Sequence, residues 1–232
     1  MSNQWYGKFG NSRVSFMNQK LKLHHFELGE KTKIKNFLKR EVQSLLYVSV
    51  IDSPQKFFPK QMKARRLVKS DIPIQSSYRS QLGLDRLLNI YSSSFLGTSK
   101  HRVVIDCGTA TCVDFATKDS YLGGWIAAGA KTGLSALHVY TDRLPLLSPQ
   151  KMTKELGQTT EESMQIGVRN VLLGQMAQAE TEAKKQFGRV KIDFILTGGW
   201  SFLVKNLTGW RHEPLLGLLG LKKIDEYRKI VR

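Results

Sequence analysis

The pattern of apolar and polar residues predicts a meander of short strands at the start of the chain. Two alternating segments flank Gly10-Asn11-Ser12, a sequence typical of tight turns, and a third segment continues the alternation. A stretch with apolar residues at helical spacing follows, and then a continuous apolar stretch. The predicted elements are the strands Trp5–Phe9, Arg13–Met17, Leu21–Leu28 and Ser44–Ile51 and the helix Lys33–Gln43.

The same order of elements returns in the second half of the chain, after two predicted helices and a short strand. The later elements are the helices Pro54–Arg65, Asp85–Ser94, Thr160–Gln186 and Lys222–Val231 and the strands near Leu67 and at Arg102–Asp106, Thr111–Ala116, Tyr121–Ile126 and Val190–Leu196. The segment that follows Gly108 echoes the segment that follows Gly10. We therefore expect two related α/β lobes, residues 1–99 and 100–232, with ligands bound between them.

The composition indicates a folded protein. Of the 232 residues, 41% are hydrophobic, which is enough for a core. Apolar stretches such as Gly123–Ala130 are far shorter than the roughly 20 residues of a membrane span. The first residues lack the basic and apolar regions of a secretory signal, so we expect a cytoplasmic protein with no membrane partner. Cys107 and Cys112 lack the spacing of a zinc site, and we interpret them as buried thiols.

The charge is unevenly distributed along the chain. The formal net charge is +17, and residues 1–70 carry 15 basic and 4 acidic side chains. Such a surplus can attract nucleic acid, an anionic membrane or a phosphorylated substrate. The basic residues of Lys31–Arg40, however, lie between apolar residues at helical spacing, which is typical of the solvated face of an amphipathic helix. We favour that interpretation over a nucleic-acid site.

Glycine turns at strand ends are candidate phosphate sites, because backbone amides in such turns form concavities that bind anions. Gly10-Asn11-Ser12 alone indicates only a hairpin. Asp106-Cys107-Gly108-Thr109 adds a carboxylate and a hydroxyl, which suits a cation beside a phosphate, although an aspartate that caps a turn has the same pattern. Thr197-Gly198-Gly199 and Gly123–Gly129 allow a ligand to approach the backbone, or form tight corners.

Gly83-Leu84-Asp85-Arg86 lies at the predicted start of a helix. By default, Asp85 caps this helix. An aspartate beside a fixed arginine is also suited to act as a general base next to an anion clamp. Thr159 and Thr160 are typical of a helix N-terminus, and their hydroxyls could also contact a substrate. The five histidines are scattered along the chain, and none of them is assigned a role.

Taken in order, these segments resemble a known family. The pattern is G-N-S near residue 10, then G-x-D-R, D-x-G-T-A-T-x-x-D, G-G-x-I-x-x-G, L-G-x-x-T and T-G-G. From about residue 5 to residue 200, this order resembles the type III pantothenate kinases, in the acetate and sugar kinase/Hsp70/actin superfamily. The resemblance implies an α/β fold of two related RNase H-like lobes with a ligand cleft between them. It also implies ATP-dependent phosphorylation of pantothenate to 4′-phosphopantothenate, the first step of coenzyme A biosynthesis, by a homodimer that needs Mg²⁺ and K⁺ or NH₄⁺.

The resemblance also implies roles for single residues. By position, Asp85 is the catalytic base that accepts the proton of the pantothenate hydroxyl, and Arg86 faces the pantothenate carboxylate. Asp106 corresponds to the ligand of the monovalent cation. The other implied contacts are Gly10, Asn11, Ser12 and Thr109 with ATP and Gly83, Leu84, Thr160 and Tyr78 with pantothenate.

The first turn departs from the family pattern Asp-x-Gly-Asn-[Ser/Thr]-x-x-Lys. Lys8 stands in the position of the aspartate and Ser15 in that of the lysine, so a cation replaces the acid that helps to hold the metal–phosphate group. Ala128 replaces a usual proline, a milder change because it removes only a fixed φ. Three hypotheses follow: an active kinase in which Lys8 contacts phosphate, a ligand-binding protein without turnover, and a basic regulator associated with nucleic acid. The retained residues of the later motifs favour the first hypothesis.

Overall fold

The computed structural model describes residues 3–78 and 81–230, which form a mixed α/β fold with two β-sheets. Among these residues, every helix is too short or too polar to cross a membrane. In chain order the elements are β1 (Gln4–Phe9), β2 (Arg13–Asn18), β3 (Leu23–Glu27), α1 (Lys31–Glu41), β4 (Ser44–Ser49), β5 (Lys63–Arg66), β6 (Gln75–Ser76), α2 (Leu84–Ser93), β7 (His101–Cys107), β8 (Ala110–Ala116), β9 (Ser120–Ala128), α3 (Ala130–Val139), α4 (Thr160–Phe187), β10 (Ile192–Thr197), β11 (Arg211–His212) and α5 (Leu216–Ile230).

The chain divides into two compact units. Unit 1 contains Met1–Ile74, Arg79–Ser92 and Leu216–Arg232, and unit 2 contains Gln75–Tyr78 and Ser93–Leu215. The chain therefore returns to unit 1 at α5, whereas the single boundary expected near residue 100 assigns this helix to the second lobe.

Unit 1 is built on a five-stranded sheet in the order β3-β2-β1-β4-β5. The first three strands pair antiparallel, and β4 and β5 run parallel to β1. Alternation along β1 sends Trp5 to the face covered by α1, where its ring meets the edge of Phe37 at 5.2 Å between centroids. Tyr6 points to the opposite face, and its hydroxyl donates to Asp225 of α5 at 3.1 Å. Burial and this carboxylate raise the pKa of Tyr6, which keeps the hydroxyl protonated as a donor.

Unit 2 is built on a six-stranded sheet in the order β11-β10-β7-β8-β9-β6. Strands β7, β8 and β9 form an antiparallel meander, and β10 and β11 continue the sheet in parallel. Val103, Ile105 and Val113 form part of the core of this unit, together with Leu172 and Met176 of α4.

The two sheets repeat one topology. The order β3-β2-β1-β4-β5 in unit 1 corresponds strand for strand to β9-β8-β7-β10-β11 in unit 2, and β6 is an addition. In both, a Gly-centred turn joins the first two strands, so the echo between the segments after Gly10 and Gly108 reflects equivalent hairpins. The prediction of two related α/β lobes is confirmed.

One predicted helix, Pro54–Arg65, is wrong. Only Pro54–Phe57 forms a single 3₁₀ turn, and Lys63–Arg66 is strand β5. Pro59 disfavours the helical conformation for the residue before it. Lys63 instead pairs with Ser44 of β4 in the sheet. Its amide donates to the carbonyl of Gln43 at 3.0 Å.

Two helices differ from the expectation because packing outweighs propensity. Helix α3 was not predicted, since its sequence follows a glycine-rich strand and contains Gly133. Helix α5 begins at Leu216 rather than Lys222, although Gly217 and Gly220 are poor helix formers. A Cβ at Gly220 would lie 1.8 Å from Ser92 Oγ, so glycine here permits close packing of α5 on α2.

Candidate active site

The first glycine turn closes the β1–β2 hairpin of unit 1. The amide of Gly10 donates to the carbonyl of Arg13 at 2.9 Å, and the amide of Leu28 donates to the carbonyl of Ser12 at 2.8 Å. The Gly10 amide is therefore used by the hairpin itself. Asn11 lies at the exposed tip of the turn, and Ser12 beside it is half-buried.

Lys8 and Ser15 lie directly opposite each other on β1 and β2, and their side chains share one face of the sheet. Ser15 Oγ hydrogen-bonds to His25 Nδ1 across the next strand at 2.7 Å. The Lys8 side chain runs toward the start of α5, because a Cβ at Gly217 would lie 3.5 Å from Lys8 Cδ. An ammonium group has no lone pair, so this strand position cannot ligate a metal, but it can neutralise phosphate oxygens.

The Gly83–Arg86 segment forms the start of α2 in unit 1. The helix begins at Leu84, so Asp85 lies within its first turn and the default interpretation of Asp85 as the cap is wrong. A Cβ at Gly83 would lie 2.8 Å from Asp85 Oδ1, which shows that the carboxylate folds back over the glycine. Arg86 is 7% exposed. A buried guanidinium beside a half-buried carboxylate is a suitable anion clamp next to a base.

The second glycine turn follows β7 in unit 2 and is supported by the start of α3. The amide of Gly129 and the hydroxyl of Thr132 donate to the carbonyl of Thr109 at 3.0 Å and 2.6 Å. A Cβ at Gly129 would lie 2.2 Å from the carbonyl oxygen of Gly108. Gly129 therefore makes the tight strand-to-helix corner that was one of its two interpretations, and it leaves Thr109 exposed at the tip of the turn.

The Thr197-Gly198-Gly199 turn lies against the second glycine turn. Thr197 pairs with Asp106 in the parallel ladder of β10 and β7. Gly198 has φ of +93°, and a Cβ there would lie 2.4 Å from Asp106 Oδ1 and 2.5 Å from the amide nitrogen of Cys107. The structure thus places this turn, a candidate for the approach of a ligand, against the predicted cation ligand.

Thr160 and Tyr78 lie in other parts of unit 2. Thr160 begins α4 and lines a cavity of about 950 Å³ between α3 and α4, together with Gly133, Leu137 and Met164. Thr159 caps the helix by accepting from the amide of Glu162 at 3.2 Å. The exposed Tyr78 follows β6.

Asp114, the last residue of the D-x-G-T-A-T-x-x-D pattern, is a further functional candidate. It is 1% exposed on β8, and Tyr121 donates its hydroxyl to Asp114 Oδ1 at 2.9 Å. The ring of Tyr78 meets the edge of Tyr121 at 5.9 Å. The sequence signal for this residue is a carboxylate in the middle of an apolar strand. Such a carboxylate is buried, and a buried carboxylate requires a specific hydrogen-bonding partner.

Of the predicted site residues, unit 1 holds the first turn and the Gly83–Arg86 segment, and unit 2 holds the second turn, Thr160 and Tyr78. Among residues 3–78 and 81–230, no group of three or more His, Cys, Asp or Glu side chains could hold a metal ion. Asp106 offers carboxylate oxygens at a turn, which fits a monovalent cation. Mg²⁺ commonly relies on one or two carboxylates plus substrate phosphates, so the residues fit an ion that arrives with a nucleotide.

Comparison with known sequences identifies the family. The family model for type III pantothenate kinase matches residues 13–181. The type III pantothenate kinase of Porphyromonas gingivalis is 34% identical over 166 residues, which cover 68% of this chain and 67% of the relative. That of Flavobacterium psychrophilum is 36% identical over 143 residues, which cover 60% of this chain and 58% of the relative.

Solved structures agree with the fold. A Campylobacter jejuni protein assigned to the Baf family of transcriptional activators matches with a TM-score of 0.70 at 22% identity, over 97% of this chain and 99% of that chain. An archaeal actin homologue matches with a TM-score of 0.55 at 13% identity, over 97% and 99% of the two chains. At these identities the likeness concerns the fold, and it confirms the expected actin and sugar-kinase type. With the family model matched from residue 13 to residue 181, the chain belongs to the type III pantothenate kinase family.

Proposed function

We propose that this protein transfers the terminal phosphoryl group of ATP to pantothenate, giving 4′-phosphopantothenate and ADP in the first step of coenzyme A biosynthesis. The match of the family model over residues 13–181 carries this proposal, because it includes both the Gly83–Arg86 segment and the second glycine turn. The proposal assigns the enzyme to the cytoplasm, where ATP is supplied.

In the proposed reaction, the pantothenate hydroxyl oxygen forms a bond to the terminal phosphorus while the bond from that phosphorus to the bridging oxygen of ADP breaks. Asp85 accepts the hydroxyl proton. The buried Arg86 binds the pantothenate carboxylate through paired hydrogen bonds, and Gly83 and Leu84 shape the loop around the substrate. Thr160 and Tyr78 are proposed as further pantothenate contacts.

Phosphoryl transfer depends mainly on positioning and charge neutralisation. We assign phosphate contacts to Lys8, to the first turn at 10–12 and to Thr109. Asp106 binds K⁺ or NH₄⁺, because an uncompensated carboxylate beside ATP phosphates would repel them. The nucleotide would carry Mg²⁺ on its own phosphates, and the ion would supply neutralisation of phosphate charge. Lys8 supplies, as a point charge, part of the neutralisation that the family's lysine provides from the position of Ser15.

We further propose a homodimer formed through the α3–α4 face of unit 2. This face surrounds the 950 Å³ cavity, and two apolar side chains that line the cavity, Leu137 and Val171, are 39% and 56% exposed. Monomeric proteins rarely expose contiguous apolar patches of more than a few hundred square ångströms. A second copy of the chain is the occupant that the family resemblance supports.

A coupled assay tests the proposed reaction. ATP, Mg²⁺, K⁺ and pantothenate should give ADP and 4′-phosphopantothenate in equal amounts, with no ADP when pantothenate is omitted. Binding of pantothenate without turnover would contradict the proposal. Light scattering should give about twice the mass of 26.3 kDa. Substituting Leu137→Asp together with Val171→Asp should return the mass to that of one chain, since charges do not bury in an apolar interface without partners.

A further inference from the structure

Ser201, which is buried, and His212, which is half-buried, form a hydrogen-bonded pair next to the Gly198 turn of unit 2. Ser201 Oγ donates to the carbonyl of Gly198 at 2.6 Å and hydrogen-bonds to His212 Nε2 at 2.8 Å. Ser201 is 2% exposed, and His212 is on β11, paired with Leu196 of β10. These two hydrogen bonds therefore connect β11, at the edge of the sheet, to the turn that follows β10.

The Ser201 hydroxyl carries one hydrogen, which serves either the carbonyl of Gly198 or His212 Nε2. When the hydroxyl donates to Gly198, it accepts from His212, and Nε2 of the ring carries the hydrogen; in the other tautomer Nε2 accepts from the hydroxyl. Burial and the neighbouring Lys205 lower the pKa of His212, with Glu213 opposing them, which favours the neutral ring. In both arrangements the Ser201 amide donates to the carbonyl of Gly198 at 3.2 Å, so Ser201 links the histidine to the turn.

The Ser201–His212 pair can affect nucleotide binding because Gly198 lies against the predicted nucleotide site. Its missing side chain leaves room for Asp106 Oδ1, and the amide of Trp200 donates to the carbonyl of Cys107 at 2.9 Å. Any displacement of the Gly198 turn must therefore displace the segment from Asp106 to Cys107. That segment leads directly into the second glycine turn.

We propose that His212 and Ser201 are positioning residues that set the affinity of unit 2 for nucleotide and monovalent cation, by holding Gly198 against Asp106. This inference rests on the proposed function, in which Asp106 binds the cation and Thr109 the phosphates. Neither positioning residue is required to touch ATP. Their effect reaches the nucleotide through the Gly198 turn, so it differs from the effect of Asp85, which concerns the pantothenate hydroxyl.

Calorimetric titration with a non-hydrolysable ATP analogue, in Mg²⁺ and K⁺, tests this proposal without requiring turnover. Substituting His212→Ala should weaken analogue binding by about 3- to 10-fold, the range of one net hydrogen bond. In the coupled assay, KM for ATP and the half-saturating K⁺ concentration should rise, while KM for pantothenate stays within twofold of wild type. Substituting His212→Gln should restore at least half of the loss, because its Nε2 can donate to Ser201.

A matched control is His101→Ala, at the opposite end of β7, where the ring packs on Phe187 with 4.7 Å between centroids. This variant also loses a histidine contact in the same sheet, but it should bind the analogue as wild type does. Equal weakening in His101→Ala, or wild-type analogue binding in His212→Ala, would overturn the inference. Turnover in wild type with an unchanged KM for ATP in His212→Ala would overturn the inference alone. If the wild type bound the analogue but did not turn over, the proposed function would be overturned, and the calorimetric comparison of His212→Ala with His101→Ala would decide the inference. If the wild type did not bind the analogue, both the proposed function and the inference would be overturned.

Discussion

Substituting Gly198→Ala combines two separate penalties at one position. The backbone has φ of +93°, where an L-residue costs about 1–2 kcal/mol. The new Cβ would lie 2.4 Å from Asp106 Oδ1 and 2.6 Å from the carbonyl carbon of Cys107, and overpacking of this kind typically costs about 1–3 kcal/mol. We expect the free energy of unfolding to fall by roughly 2–5 kcal/mol.

Other glycines of unit 2 separate the two penalties. Gly188 has φ of +73° and ψ of −153° with open space around it, so Gly188→Ala should lose about 1–3 kcal/mol from backbone strain alone. Gly124 has no positive φ, but a Cβ there would lie 1.8 Å from the carbonyl oxygen of Val113, so Gly124→Ala should lose about 1–3 kcal/mol. Gly209 has neither feature, and Gly209→Ala should change stability by less than about 1 kcal/mol.

Urea unfolding of the four variants measures these differences, and the coupled assay measures the site. Of the four variants, only Gly198→Ala should raise KM for ATP, because Gly198 is the one of these four glycines that lies against Asp106. If Gly198→Ala unfolded at the same urea concentration as Gly209→Ala, the close approach of the two turns would be refuted. A rise of KM for ATP in Gly124→Ala equal to that in Gly198→Ala would show that general loss of stability, rather than the turn, controls nucleotide binding.

Three further predictions concern the proposed chemistry. Asp85→Asn should stay folded, by circular dichroism, and lose roughly 10²-fold or more of kcat, as expected for loss of a general base; full activity would leave Asp85 a purely structural residue of the first helical turn. Activity should be higher in K⁺ or NH₄⁺ than in Na⁺ alone, and Asp106→Ala should abolish that difference; equal rates of the wild type in K⁺ and Na⁺ would remove the cation from the mechanism. Lys8→Ala should raise KM for ATP while leaving pantothenate binding intact, and Lys8→Asp alone should not improve kcat, whereas Lys8→Asp with Ser15→Lys should recover or raise it. A large gain from Lys8→Asp alone would show that the lysine disables the enzyme.

The meanders and the long helix could be predicted from the sequence because their signals are local. Turn residues such as those at 10–12 lie between alternating segments, and Thr160 begins α4 as the hydroxyl pattern predicts. The contact between Gly198 and Asp106 could not be predicted, since it depends on the register of two strands far apart in sequence. The start of α5 differs from the predicted start for a related reason. Glycine is unfavourable in a helix, and the sequence does not show that Gly220 packs closely against Ser92.

The discontinuity of unit 1 has a consequence for synthesis of the protein. Strands β1 to β5 leave the ribosome first, but α5, which covers one face of β1, follows only after the whole of Ser93–Leu215. During that interval Tyr6 lacks its partner Asp225, which is 219 positions away, and the face of β1 that α5 will cover stays open to solvent or to chaperones. Unit 2, whose long segment is continuous, can complete its core first. The nascent chain should therefore become protease-resistant in unit 2 before unit 1, in the reverse of the order in which the two units begin.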